Sequence, residues 1–141
     1  MDTGVAFTRL DPDGEERFQR LRQELGVSTF GLNLLRLRPG ERGRIHRHEH
    51  QEEVYLVLDG TLTLVLEGEP RELQRSELAR VAPDVRRQLV NRHPQPLLLL
   101  AAGGAKEHVG RDGAAYESWD ETGPGRAPRE IPLPENVPVD G

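Results

Sequence analysis

Gly40-Glu-Arg-Gly-Arg-Ile-His46-Arg-His48-Glu-His50-Gln-Glu-Glu53-Val-Tyr-Leu-Val-Leu-Asp-Gly60 is the stretch on which the reading of this chain turns. In an extended segment, residues two apart project to the same side, so His46 and His48 present two imidazoles in one direction. Glu53 has the opposite parity and joins them only if the backbone turns between Glu49 and Glu52, where four polar residues permit it. Glu53 then opens a further strand, on which Tyr55 and Val57 share its face and are expected to line the same cavity. Two imidazoles and a carboxylate are the ligand types of a facial metal triad.

Working outward, the same period of two recurs. Phe30, Leu32 and Leu34 alternate with Gly31 and Asn33, and Leu35 and Leu37 alternate with Arg36 and Arg38 before Pro39-Gly40 breaks the run. Val54–Leu58 is apolar on both faces except for Tyr55, the pattern of a strand buried on both sides. Asp59-Gly60 reads as a hairpin turn. Strand patterns follow at Thr61–Glu67, Arg71–Gln74, Leu78–Ala82, Gln88–Asn91 and Leu97–Ala101. Short strands about every ten residues with turn residues between them indicate an all-β sandwich or barrel. One helix is expected, over Glu15–Leu25, with Phe18, Leu21 and Leu25 at helical spacing and Gly26 as its C-terminal cap.

The domain organisation expected is an N-terminal segment over residues 1–29, a barrel over 30–102 and a Gly/Pro-rich tail over 103–141. Five of the eleven prolines fall after Gly123, and the tail's apolar residues, among them Tyr116 and the only tryptophan, Trp119, are isolated. Such a segment builds no core of its own. Gly110–Glu121 is therefore expected to pack on the barrel or across a partner subunit, and the final dozen residues to be extended and mobile.

Composition narrows the chemistry. The 141 residues include no cysteine, which leaves His, Asp and Glu as the strong metal ligands and excludes thiolate zinc sites, disulfides and cysteine nucleophiles. A net charge of −5 argues against non-specific nucleic-acid binding. Neither a signal peptide nor a membrane span is read in the acidic first twenty residues, and a cytoplasmic location is expected. Only Lys106 of the nineteen basic residues is a lysine. Arg36, Arg38, Arg42, Arg44, Arg47, Arg86, Arg87 and Arg92 crowd the informative stretches, either as solvated strand faces or as a guanidinium-lined mouth for an anion.

The spaced set Gly40, His46, His48, Glu53 and Gly60 resembles the first conserved motif of the cupin superfamily at every fixed position. The resemblance implies a jelly-roll barrel, a double-stranded β-helix, with His46, His48 and Glu53 aligned with three metal ligands. The family's second motif is degenerate here. Aligned on Asn91, it places Ser76 and Asp84 at glycine positions, Ala82 at the proline and Arg87 at the fourth ligand, a histidine in the family. Arginine stays protonated and cannot coordinate a metal. Three readings follow: a metal on the triad alone with open positions; a shell completed by His93 or His50; or a metal-free site in which Arg87 holds a ligand carboxylate or phosphate.

The expected function is accordingly a small cupin binding a divalent transition metal (Fe, Mn, Ni, Cu or Zn) through His46, His48 and Glu53. Its activity would be of oxygenase or isomerase type on a small anionic metabolite, with Arg87, Tyr55 and Asn91 as substrate-binding candidates. The alternative is a non-catalytic barrel that binds a small molecule, metal-free, through Arg87. A small-molecule ligand and a second copy of the chain, paired through the outer face of Val54, Leu56 and Leu58, are the partners expected. Nucleic acid and membrane are not.

Overall fold

Alternation of apolar residues along short strands needs two facing sheets to bury the inward side, and the chain satisfies it by crossing repeatedly between them. The computed structural model describes residues 3–104 and 112–140. Its strands are β1 (Phe18–Gln19), β2 (Gly31–Leu37), β3 (Ile45–His48), β4 (Glu52–Asp59), β5 (Leu62–Leu66), β6 (Glu69–Leu73), β7 (Leu78–Val81), β8 (Arg87–Val90), β9 (Leu97–Gly104) and β10 (Gly113–Tyr116). One antiparallel sheet has the order β1-β2-β9-β4-β7, the other β10-β3-β8-β5-β6. From β2 to β10 the chain changes sheet at every step except the hairpin β5–β6. This is the expected jelly-roll barrel.

The inner faces close on Leu35, Leu37, Val57, Leu62, Leu64, Leu89, Leu97 and Leu99, with Tyr55 among them. Fully buried side chains of this size contribute about 1.5–3 kcal/mol each. Leu62 and Leu64 share a face as their spacing requires, and both are wholly enclosed. A two-residue turn at Glu67-Gly68, with positive φ at both, joins β5 to β6.

Several local expectations are corrected. The helix α1 covers only Leu21–Leu25, capped by left-handed Gly26. Phe18 and Gln19 are instead a strand, paired with Leu35 and Leu34, because the exposed edge of β2 offers hydrogen bonds that a helix there would forgo. Asp59-Gly60 does not form a hairpin: β4 and β5 lie in different sheets, and the turn carries the chain across the barrel. Gly60 has φ +80°, and a Cβ there would stand 2.4 Å from the Pro96 carbonyl oxygen. The outer side of β4 is less buried than its sequence suggests, with Val54 exposed and Leu56 and Leu58 half-buried.

The tail is part of the barrel. Gly113–Tyr116 adds to β3 as an edge strand, so this part of the expected docking segment packs within its own chain. Gly110 and Arg111 lie outside the described residues, as does His108, to which the sequence reading gave no role. The last residues are fastened rather than loose: Val137 N–H donates to the Gly40 carbonyl and Asp140 N–H to that of Arg92. No described helix is long and apolar enough to cross a membrane.

Candidate metal centre

The two sheets contribute different ligands to one point. His46 and His48 project from β3, and Glu53 from the start of β4 in the opposite sheet. On one side their cross-strand neighbours are small, with Ala115 and Gly113 paired with His46 and His48 and Gly103 with Glu53; on the other, Arg87 pairs with His46 and Val81 with Glu53. A Cβ on Gly103 would meet Glu53 Cγ at 3.1 Å. The turn at 49–51 that brings Glu53 to the histidines is clamped by Asp112. Its Oδ2 accepts the N–H groups of His50 and Gln51, each at 2.8 Å, and its backbone carbonyl accepts that of Glu49 at 3.0 Å.

One ligand atom from each of His46, His48 and Glu53 lies within 4.8 Å of the others. Glu53 Oε1 is the focus: Tyr55 donates its hydroxyl to it at 2.6 Å, and His48 Nε2, His46 Nε2 and Arg87 Nη2 stand 3.1, 3.5 and 3.6 Å away. Burial alone would raise the Glu53 carboxyl, but the imidazoles of His46 and His48 hold it well below the usual carboxylate range. Burial and the adjacent Glu53 carboxylate push the Tyr55 phenol well above its ordinary value, so it remains a donor.

The donor set fits a metal ion. His46 Nδ1 lies 3.1 Å from the Arg44 carbonyl, which orients the ring, and Nε2 stands 3.5 Å from the Glu53 oxygen, a spacing that a shared cation could bridge. His48 Nε2 is close to Glu53 but not aligned for a hydrogen bond. Both His48 ring nitrogens are buried without a hydrogen-bond partner, and Asp112 Oδ2 stands 3.7 Å behind Nδ1. Buried polar atoms left this way cost about 1–3 kcal/mol each unless something occupies them.

The remaining candidates fall elsewhere. Arg87 is wholly enclosed; its guanidinium donates to the carbonyls of Pro83, Val85 and Ala82 and lines neither cavity beside the triad. Asn91, also wholly enclosed, donates to the carbonyls of Leu37 and Gln95 and accepts the His93 N–H, so its amide ties backbone segments together. His93 pairs with Glu72 at 2.8 Å, and His50, largely exposed, with Asp112 at 2.9 Å; neither joins the triad. Most of the arginines suspected of forming a mouth are engaged, Arg36 with the Asp11 and Glu16 carbonyls, Arg42 and Arg44 with tail carbonyls, Arg47 with Tyr116, and Arg86 with Glu67.

Two cavities share Asn33, His48, Glu53 and Ala101 as walls. One, of about 240 Å³, is mostly apolar, with Leu35, Leu37, Leu89 and Tyr55, and the tail's Pro128 and Leu133 at its rim. The other, of about 290 Å³, is polar and bounded by α1. Asn33 escaped the sequence reading. It has the parity of Leu35 and Leu37, which makes it the polar member of an inward-facing row, and that signal could have found it.

The architecture is an antiparallel double-stranded β-helix with two histidines and a glutamate, a group that could hold a metal ion, gathered between its sheets. The family model for the cupin domain matches residues 33–103, just over half of the chain, and the chain belongs to that family. It is similar to a cupin protein from Bacteroides fragilis, at 22% identity and a TM-score of 0.63 over 74% of this chain and 86% of that one. It is also similar to a sugar phosphate isomerase of the cupin superfamily from Silicibacter pomeroyi, at 28% identity and TM-score 0.62 over 84% and 80%. A third is a Cupin 2 conserved barrel domain protein from Salinispora arenicola, at 26% identity and TM-score 0.57 over 68% and 81%. No protein of curated function matches the sequence significantly.

Proposed function

We propose that this cupin binds a divalent transition metal through His46, His48 and Glu53 and acts on a small anionic metabolite, as an isomerase or an oxygenase. The observation that carries the reading is the convergence of one ligand atom each from His46, His48 and Glu53 within 4.8 Å, with the buried His48 Nε2 lacking a hydrogen-bond partner 3.1 Å from Glu53 Oε1. Bound there, a metal would supply Lewis-acid polarisation of a substrate oxygen. The chain's own residues do the rest. Tyr55 fixes the Glu53 carboxylate by its 2.6 Å hydrogen bond, and Arg87 balances the charge from behind. The mostly apolar cavity of about 240 Å³ borders one side of the triad. The isomerase option draws support from the Silicibacter pomeroyi relative, whose name states that chemistry. The metal-free reading, with a ligand anion on Arg87, has less support, because that guanidinium is enclosed and already held by three carbonyls.

The chain is further read as a cytoplasmic homodimer. The absence of cysteine suits a reducing compartment, and the apolar outer face of Val54, Leu56, Leu58 and Leu78 is available for a second copy. Elemental analysis of tag-free protein is the direct test of the metal reading. Near-stoichiometric transition metal is expected, falling at least tenfold in His46→Ala, and a wild-type chain that takes up none after reconstitution at neutral pH sinks the reading.

A further inference from the structure

The polar cavity beside the triad is bounded on its far side by α1, which contributes Arg22 and Gln23, and by Arg20 just before it. Arg22 differs from the other half-buried or enclosed arginines of the described residues, although Arg87 also has its Nε without a partner. Each remaining arginine that is half-buried or enclosed, from Arg17 to Arg92, has a carboxylate, carbonyl or hydroxyl partner. Arg22 is half-buried, its enclosed Nε has no hydrogen-bond partner, and no described residue accepts from its guanidinium. A guanidinium is a fork of five donors that is always charged, and leaving one without an acceptor in a partly dry setting is costly.

Two neighbours share its condition. Arg20, on the same cavity, makes no ion pair with a described residue, and the Asn33 side-chain amide, at the junction of both cavities, has no protein hydrogen-bond partner among them. Among the described residues Glu53 is the single carboxylate on the cavity's lining, against the two guanidinium groups of Arg20 and Arg22, and all of them border one cavity of about 290 Å³ that His48 also lines.

We propose that Arg22, assisted by Arg20 and Asn33, forms an anion subsite that holds the carboxylate or phosphate group of the ligand while the rest of that ligand reaches the triad. This rests on the reading of His46, His48 and Glu53 as the centre of the site, and it assigns the ligand's charge to α1 rather than to Arg87. A planar oxyanion accepts two parallel N–H bonds from one guanidinium, and the Asn33 amide supplies a further donor from β2. The ligand class is thus a small molecule with an anionic end and, within one cavity length, an oxygen able to approach the metal ligands.

The test is a calorimetric titration of the full chain at fixed ionic strength, with inorganic phosphate and with acetate as separate probes, on metal-free and metal-loaded protein. Saturable binding of at least one anion to the wild type is expected, and the tighter of the two identifies the headgroup. Arg22→Gln should weaken it at least tenfold, Arg22→Lys less, and Arg38→Gln, which removes an exposed arginine elsewhere, should not change it. Metal content of Arg22→Gln should equal that of the wild type, so loss of anion binding is separable from failure of the metal site. Should Arg22→Gln lose its fold by circular dichroism, Asn33→Ala carries the test, with a loss of at least threefold expected. The proposal is overturned if neither anion saturates, if Arg22→Gln binds as the wild type does, or if Arg38→Gln weakens binding equally.

Discussion

Replacing Arg87 by methionine should be among the most damaging single changes in this barrel. The side chain is wholly enclosed, donates to three carbonyls at 2.8, 3.1 and 3.3 Å, and stands 3.6 Å from Glu53 Oε1. Methionine fills similar space but returns none of these bonds. Breaking one side of a buried ion pair costs about 3–5 kcal/mol, because the partner charge is left uncompensated. With a urea slope of about 2 kcal/mol per molar, the midpoint of metal-free Arg87→Met should fall by roughly 2 M. Glu53→Gln removes the charge that Arg87 answers, so the double variant should lose less than the sum, with a coupling of about 0.5–3 kcal/mol. Metal should rescue Arg87→Met more than it stabilises the wild type, since a repelling guanidinium has left the neighbourhood of a divalent cation. Equilibrium urea unfolding of the four chains, with and without metal, reads all three quantities. A loss below about 1 kcal/mol with no coupling to Glu53 would refute the view of Arg87 as the internal counter-charge.

Two further expectations concern regions away from the triad. Glu72 accepts from Thr63, Arg92 and His93, and although burial would raise its carboxyl, these partners, His93 foremost, hold it below its usual value. The unfolded chain therefore takes up that proton first as pH falls. Its contribution is present above the unfolded value, about pH 4.5, and is lost as pH drops through the lowered folded value. Glu72→Gln should cost about 1 kcal/mol or less at pH 7 and progressively less as the pH falls below the unfolded value, so unfolding midpoints that stay parallel down to acid pH count against it. Light scattering on the full chain should give a mass near twice 15.8 kDa. Leu78→Glu, a change at a residue 63% exposed, should shift it toward one copy without unfolding the barrel; a monomeric wild type disproves the pairing.

Parity along the strands was the informative quantity in the sequence, and it carried the reading as far as local chain geometry reaches. It placed His46 with His48 and Tyr55 with Glu53, and the 2.6 Å bond between the last two is what a shared strand face predicts. It failed where a distant segment decides. The turn that reverses Glu53 onto the histidines is held by Asp112, about sixty residues later, in a tail segment that reads as docking on the barrel or a partner without a defined contact. No local pattern announces such a clamp. The same holds for Phe18-Gln19, drawn from helix to strand by the open edge of β2, and for Asp59-Gly60, whose turn chemistry is identical whether the next strand stays in the sheet or leaves it. Arg87 illustrates the reverse case. The alignment located it beside the ligands, but only the carbonyls of residues 82–85, a property of backbone folding, determine that it faces them rather than a ligand.

Those two arginines, Arg87 and Arg22, divide the electrostatic work of the site in a way that links metal to ligand. Arg87 answers the charge of Glu53 inside the barrel, and the polar cavity carries the guanidinium groups of Arg20 and Arg22. The metal-free site is thus already cationic on one side, which suits a weakly held anion. Loading a divalent metal on His46, His48 and Glu53 adds two charges a short distance away, in a cleft where screening by water is reduced. Anion and metal must then assist one another, because a coupling between two bound charges acts equally on both. Phosphate or acetate should bind more tightly to the loaded protein, and the metal should dissociate more slowly when either anion is present. If the anion were instead held by an enclosed Arg87, removal of Arg22 would leave that mutual enhancement intact. Its disappearance in Arg22→Gln, with metal content unchanged, is therefore the outcome that ties α1 to the metal centre.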